Sequence, residues 1–528
     1  MPRVERWLLL FVTLAVVAPV LAFPYPPMTD LPHHEAVVAI LRHGSDAARY
    51  PPGIYVHNFG HPNQLFQLGA WLLSYGFGVT LACKLVVALA AAGVLWGGAR
   101  LAKSLGASLL PVIALAPIAT GFLFTMGLVN NLLGLALLLA VLPELDALVT
   151  TPSKTQLARV LLAGAALYVA HELMLFVFLA AAGIFAVVAP TESPRRARLF
   201  ALVPIASFAV IAVAQLVLQE SLKPLTLRAS PNVFVPPWRK LASMAADLVG
   251  AHEAPLRYGL AFAMALGLLA VHLSRHAPTE RAPFWERRHA LVGALVFAWY
   301  LFAPADWNGA TLVHHRFLAP AFFLLAIPLG RRATPRLVPS VVCGLAGLSG
   351  IVATLPLFVE SSRDRADVLS VLQHVPLGSA VVGLALQESK RPMALSALTS
   401  TSLAERGGRV HHGFVHSTVS PIMVAKDKQW GEVALRLKKN AFALLPAHDL
   451  TRFRYALLRS DDTRLLEMTV VALLPDAKLV STEGAWALME SRHPIGPIDG
   501  GDMPVPEPRP ASLGDKMRAL EDAARGRR

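Results

Sequence analysis

The chain has 528 residues, 55% of them hydrophobic and only 16% charged, with a mean hydropathy of +0.53. Soluble domains carry roughly 25% charged residues, so this composition excludes an ordinary soluble protein and predicts a polytopic α-helical membrane protein. The formal net charge of +14 raises nucleic acid as a partner, but the placement of the cations gives a simpler account.

A membrane helix needs roughly 20 mostly apolar residues. Stretches that qualify, or nearly so, run at about 7–22, 79–99, 109–125, 128–148, 157–170, 173–189, 199–218, 256–274, 289–304, 316–330 and 337–357, which predicts about eleven spans. The apolar run Leu157–Ala189 is too long for one crossing, so it is split at His171-Glu172. Lys and Arg gather in alternate connections: Arg3 and Arg6, Arg100 and Lys103, Lys154 and Arg159, Arg195 to Arg198, Arg275 to Arg288, and Arg331 to Arg336. Cations mark the cytoplasmic side. The expectation is therefore a plasma (inner) membrane protein with a cytoplasmic N-terminus, most of its positive charge accounted for by topology and no nucleic acid needed. Residues 7–22 read as an uncleaved anchor, with a cleaved signal as the alternative. Either leaves the next loop outside.

That loop begins FPYPPMTDLPHHEAVVAILRHG and sets Asp30, His33, His34 and Glu35 within six positions. In a helix starting at Asp30, His33 and His34 share its face and Glu35 points elsewhere. Three uses are open to this cluster: Asp30 caps the helix above Pro32, Asp30 acts as a general base, or a carboxylate and two imidazoles take a divalent metal. No cofactor beyond that metal is indicated. His57, Asn58, His61, Asn63 and Gln64 follow in a polar stretch suited either to a hydroxylated ligand or to solvent.

His171-Glu172, between two apolar helices, must find partners. The pair either pins helices together or lines an outer cavity. The 219–255 loop carries Lys223, Arg228, Arg239 and Lys240 beside Trp238, which suits lipid head groups or a lipid-linked phosphate. The last outer loop, PADWNGATLVHHRFLAP, offers Asp306, then His314 and His315, and Arg316 at the mouth of the next span. Arg316 can grip a phosphate bidentately or snorkel to membrane lipids.

Past about residue 359 charge returns and apolar runs shorten. The chain is therefore divided into a membrane domain at 1–358, an extracytoplasmic soluble α/β domain at 359–493, and a Pro/Gly-rich tail at 494–528 of disordered composition. Strands are expected at Ser379–Leu386, Ala441–Leu445, Tyr455–Leu458 and Met468–Leu474, a hairpin from Lys478–Val480 to Ala485–Met489, and helices at 364–374 and 428–438. Cys83 and Cys343 lie in apolar segments and give no disulfide framework. No Walker A loop, GxSxG elbow, CxxC pair or HExxH motif occurs.

Over about 1–490 this arrangement resembles the GT-C superfamily of membrane glycosyltransferases, which includes protein mannosyltransferases and lipid A aminoarabinose transferases. The resemblance rests on architecture and on four local patterns: TDLPHH around Asp30, GFLFTMGLVNNLLGL at 121–135, the His171 turn, and HHRFLAP at 314–320 before a final span and an outer domain. It implies a polyprenyl-phosphate sugar donor and a glycan, lipid or protein acceptor. It also implies an acidic residue of the first outer loop, Asp30, near the acceptor, with basic residues such as Arg316 holding the donor phosphate. The chain departs from the family in lacking a second carboxylate in register with Asp30, a place that Glu35 or Asp306 would have to fill. The alternatives from other classes are a transporter or flippase of lipid-linked glycan and a non-catalytic envelope membrane protein.

Overall fold

The computed structural model describes residues 3–188, 195–222, 232–250, 252–275, 284–307, 310–331, 333, 336–386, 400–411, 413–425, 428 and 453–492. In chain order the elements are α1 (Arg3–Ala22), α2 (Leu31–His43), β1 (Tyr55–His57), α3 (Leu65–Phe77), α4 (Val79–Ser104), α5 (Leu110–Ala114), α6 (Phe122–Thr125), α7 (Val129–Thr150), α8 (Lys154–Ala170), α9 (Glu172–Val187), α10 (Arg195–Leu222), α11 (Pro237–Val249), α12 (Ala254–Leu273), α13 (Arg288–Phe302), α14 (His315–Ala326), α15 (Leu337–Leu372), β2 (Ala380–Ala385), α16 (Ser400–Arg406), β3 (Arg409–Val410), β4 (Ile422–Val424), β5 (Tyr455–Arg459), α17 (Thr463–Leu473), β6 (Ala477–Glu483) and β7 (Trp486–Ser491).

Among the described residues, six helices are long and apolar enough to cross a bilayer: α1, α4, α7, α10 (over 198–215), α12 and α15. Stretches α9, α13 and α14 are apolar but shorter. The protein is thus a multi-pass membrane protein, and of the roughly eleven expected spans the third, 109–125, is corrected. Residues 109–125 form α5, a 3-10 turn at Ala116–Thr120, and α6, rather than one helix. Pro117 lacks the amide that a continuous helix needs, and Gly121 (φ −82°, ψ −143°) leaves helical geometry before α6. The broken backbone is tolerated because nearly every residue from Ala107 to Thr125 is buried in protein rather than facing lipid. The split at His171 holds, since that residue is extended (φ −166°, ψ 120°) between α8 and α9.

Paired charges collect at the end of the body where α4 finishes. Arg100 pairs with Glu144, Arg288 with Asp146, and Arg331 with Glu286 at 2.8 Å. At the other end, Lys84 of α4 donates to the carbonyls of Leu21 (3.0 Å) and Phe23 (2.6 Å), covering the open C-terminus of α1. The same end carries α2 and the sheet.

Helix α15 has 36 residues, about 54 Å at 1.5 Å per residue, and outruns a ~30 Å hydrocarbon core. It passes position 358 without a break, includes the helix expected at 364–374, and presents buried Asp364 and Arg365 to the C-terminal region. There a sheet of order β3-β2-β5-β7-β6 forms, with β2 parallel to β3 and β5, and β7 antiparallel to β5 and β6. The expected strands at 379–386 and 455–458 and the closing hairpin appear in it. Met468–Leu474 is instead the end of α17, a correction. Asp462 caps that helix by accepting from the amides of Arg464 (3.0 Å) and Leu465 (3.2 Å), and Leu466, Val470 and Leu473 bury one helical face. The expected elements at 428–438 and 441–445 fall almost wholly outside the described residues, and the tail at 494–528 lies outside them. Strand β1 of the first loop pairs antiparallel with β4, Tyr55 opposite Val424, which ties that loop to the C-terminal region.

Candidate functional site

Four segments meet at the end carrying α2: the start of α2, the turn between α6 and α7, the α8–α9 junction, and the start of α14. Asp30 occupies the N-cap position of α2, yet its carboxylate makes no capping hydrogen bond. Its main chain is fully engaged. The carbonyl accepts from the amides of His33 (3.0 Å) and His34 (3.2 Å), and the amide donates to the carbonyl of Met126 (3.2 Å). The half-buried carboxylate is left for other work. Burial pushes its pKa up to about 7, with Arg316 pulling the other way.

The turn beneath Asp30 explains its pose. Gly127 has φ +75°, and a Cβ there would meet the Asp30 amide nitrogen at 2.5 Å and its Cα at 3.0 Å. Only glycine lets the two backbones approach this closely. The next residues of the 121–135 stretch continue the cradle. Asn130 accepts from the Phe66 amide (2.9 Å) and donates to the Asn63 carbonyl (2.6 Å) and Gln67 (3.1 Å). Asn131 lies 3.4 Å from both ring nitrogens of His171, and a Cβ on Gly134 would strike the Cβ of His171 at 2.8 Å.

His171 caps α9, its Nδ1 accepting from the Leu173 amide at 3.2 Å. Burial first, and Arg316 second, push its pKa well below the ordinary value, so the ring is neutral. With Nδ1 accepting, the proton sits on Nε2, the atom 3.1 Å from Arg316 Nη1. Two N–H groups face each other there and neither satisfies the other. Arg316 Nη2 donates to the Thr311 carbonyl at 3.2 Å, while its buried Nε has no hydrogen-bond partner among the described residues. Glu172 and Asp30 both act on this guanidinium electrostatically. The Glu172 amide is held by Asn63 Oδ1 at 3.1 Å. The site is therefore a half-buried cation with unspent donors, in electrostatic reach of two carboxylates, neither paired with it directly, of which one titrates near neutrality.

The other expected residues divide. His34 reaches the cradle. Its Nε2 donates to the Gly127 carbonyl (3.3 Å) and its Nδ1 accepts from Gln67 (3.0 Å), while burial lowers its pKa to about 3. His33 turns to Ser400 (2.6 Å) and the ring of Phe414, so Asp30, His33 and His34 do not come within metal-ligand reach of one another. Glu35 is fully buried and bound to Arg365 at 3.1 Å, and it also accepts from Tyr25 (3.3 Å). It fastens α2 to α15 and supplies no second carboxylate beside Asp30. His57 is exposed on β1, stacked on Phe59, away from the site. Asp306 bridges Val233 through its backbone, and no contact joins its side chain to Asp30, His171 or Arg316 among the described residues. Arg239 is exposed on α11. Lys240 is buried and donates to the carbonyls of Tyr300 and Ala303, where α13 ends with unpaired carbonyls, which explains its place by helix capping. Lys223 and Arg228 lie outside the described residues.

Gly127, Asn131 and Gly134 were not picked out individually in the sequence. Their signal was a pair of asparagines inside an apolar run, which needs internal partners at any depth in a membrane.

No protein-family model and no curated protein matches the chain. Among solved structures it is similar to ArnT from Cupriavidus metallidurans in the apo state, with a TM-score of 0.57 and 11% identity over 92% of this chain and 97% of that one. It is also similar to the same protein bound to undecaprenyl phosphate, with a TM-score of 0.51, 11% identity and the same coverage. Identity this low speaks for the fold alone. Over nearly its whole length, the chain shares the fold of ArnT.

Proposed function

We propose that this protein is a GT-C-type glycosyltransferase that moves a sugar from a polyprenyl-phosphate-linked donor to a hydroxyl of a glycan, lipid or protein acceptor at the outer face of the membrane. The observation that carries this reading is Arg316, whose guanidinium has unspent donors beside a carboxylate, Asp30, that titrates at about 7. A general base works best with a pKa near the operating pH, and an arginine fork suits a phosphate. ArnT, which shares the fold, has been crystallised with undecaprenyl phosphate, and this supports a polyprenyl phosphate as the lipid partner.

In this reading Asp30 takes the proton of the acceptor hydroxyl as its oxygen attacks the anomeric carbon. The bond from that carbon to the phosphate oxygen breaks with its electron pair, and polyprenyl phosphate leaves. Arg316 stabilises the charge growing on the phosphate, an effect that is strong where water is excluded. Asp30 then returns its proton to solvent. The Thr311 carbonyl holds one arm of Arg316, and neutral His171 beside it adds no positive charge of its own.

The test uses the full chain in liposomes with a polyprenyl-phosphate sugar donor and a mixed extract of envelope lipids and glycans as acceptor. The expected result is covalent transfer of the sugar with free polyprenyl phosphate released in equal amount. Donor recovered intact, or intact donor moved between leaflets without cleavage, would overturn the proposal, the second in favour of a flippase.

A further inference from the structure

One cluster of ligating side chains lies outside the site just described. Asp247 on α11, His314 immediately before α14 and His315 as its first residue each offer one ligand atom, all within 4.8 Å of one another. Asp247 and His314 are buried, with 6% and 3% exposure, and His315 is partly buried. The two imidazole rings lie 3.9 Å apart, and Phe122 stacks flat on His315 at 4.7 Å.

An ordinary hydrogen-bonded pin explains only part of this. His315 Nε2 stands 3.5 Å from Asp247 Oδ1, which accounts for one ring nitrogen. His314 Nδ1 and His315 Nδ1 are buried with no hydrogen-bond partner among the described residues, a costly arrangement for polar atoms. The carboxylate is held from behind as metal-binding carboxylates are. Its Oδ2 lies within hydrogen-bond distance of Tyr300 OH (2.8 Å) and Ser243 Oγ (2.9 Å), hydroxyls that it shares with the Lys240 carbonyl, and these contacts fix its direction. Lys240 opposes a cation here, but its ammonium is held against the carbonyls of Tyr300 and Ala303 rather than paired with Asp247.

We propose that Asp247, His314 and His315 form a site for one first-row divalent metal ion of the Zn²⁺ class. Two imidazoles and one carboxylate are the donor set such ions favour, and three protein ligands leave a further position open. The site ties α11 to the start of α14, one residue before Arg316, and so braces the helix turn that aims the guanidinium. None of these ligands comes from the first loop, where the sequence had pointed to metal. The proposal is independent of sugar transfer, because metal uptake is read without any substrate.

The experiment strips the purified full-length protein, prepared without a polyhistidine tag in lipid nanodiscs, with a chelator, and then titrates it with Co²⁺ and competes with Zn²⁺. The expected result is one Co²⁺ per chain with visible ligand-field absorption that excess Zn²⁺ removes. Asp247→Asn, His314→Gln and His315→Gln each weaken uptake by at least about 100-fold, and Tyr300→Phe, which removes a hydroxyl that touches both the carboxylate and the Lys240 carbonyl, weakens it by about 10- to 100-fold. His57→Ala, at an exposed position remote from the cluster, leaves uptake unchanged. A wild-type protein that takes up no Co²⁺, or His314→Gln and His315→Gln proteins that bind as wild type, would overturn the proposal. Should one of those variants fail to fold, the wild-type stoichiometry and the Tyr300→Phe affinity still decide.

Discussion

At the scale of single residues, Asp30 is defined as much by what it does not do as by what surrounds it. A capping carboxylate would accept from the next amides and have its pKa lowered. Asp30 makes no such bond, and burial outweighs the pull of Arg316 to leave it near 7. The charge coupling gives a signed prediction. Removing the cation in Arg316→Gln deletes the one influence that lowers Asp30, so the pH at which transfer reaches half its maximum should move upward from about 7. A pH–rate profile of donor cleavage measures this, and a limb left in place or moved downward would separate the two residues. Gly127 gives a second prediction. Gly127→Ala puts a Cβ 2.5 Å from the Asp30 amide nitrogen, so either the turn or Asp30 must move. A displacement of about 1 Å can cost on the order of 100-fold in rate. The expected signature is a fall in kcat with the donor KM little changed.

At the scale of elements, the sequence was most legible where one rule dominated. The break at His171 followed from length, and the hairpin expected from Lys478–Val480 to Ala485–Met489 is the pair β6 and β7, with Gly484 between the strands. It misled where composition and capping competed. The Thr-Val-Val-Ala-Leu run in 468–474 has strand composition, yet Asp462 and a buried face at helical spacing made it α17. It was silent where partners come from afar. Glu35 could not be matched beforehand with Arg365, hundreds of residues away, or with Glu405, which takes the same guanidinium at 2.9 Å. This ion triad joins α2, α15 and α16. Arg365→Ala leaves the fully buried Glu35 uncompensated, at a cost of about 3–5 kcal/mol. Thermal unfolding in detergent should show a clearly lower midpoint for that variant, while exposed Arg239→Ala stays at the wild-type value.

At the scale of the whole molecule, composition announced the membrane class and the alternation of cations proposed its direction. The structure gathers Arg100, Arg288 and Arg331 at one end and Asp30, His171 and Arg316 at the other. The number of regular spans was not legible, because Pro117 breaks a segment whose hydropathy reads as continuous. The convergence of the site was not legible either, since four segments far apart in sequence supply it. Orientation is testable with the native Cys83 and Cys343 silent, both being buried. A cysteine replacing exposed Lys478 on β6 should react in intact cells with a membrane-impermeant maleimide, and one replacing exposed Lys103 should react only after permeabilisation. The reverse pattern would invert the topology.

The central claim, that Asp30 is the base of a sugar transfer at this site, is tested most directly by the transfer rate of Asp30→Asn protein from a polyprenyl-phosphate sugar donor, measured against wild type across pH. The account predicts a wild-type rate that climbs through about pH 7 and an Asp30→Asn rate lower by about 10²- to 10⁴-fold with no such climb. Full activity in Asp30→Asn, with the same pH profile as wild type, would contradict it.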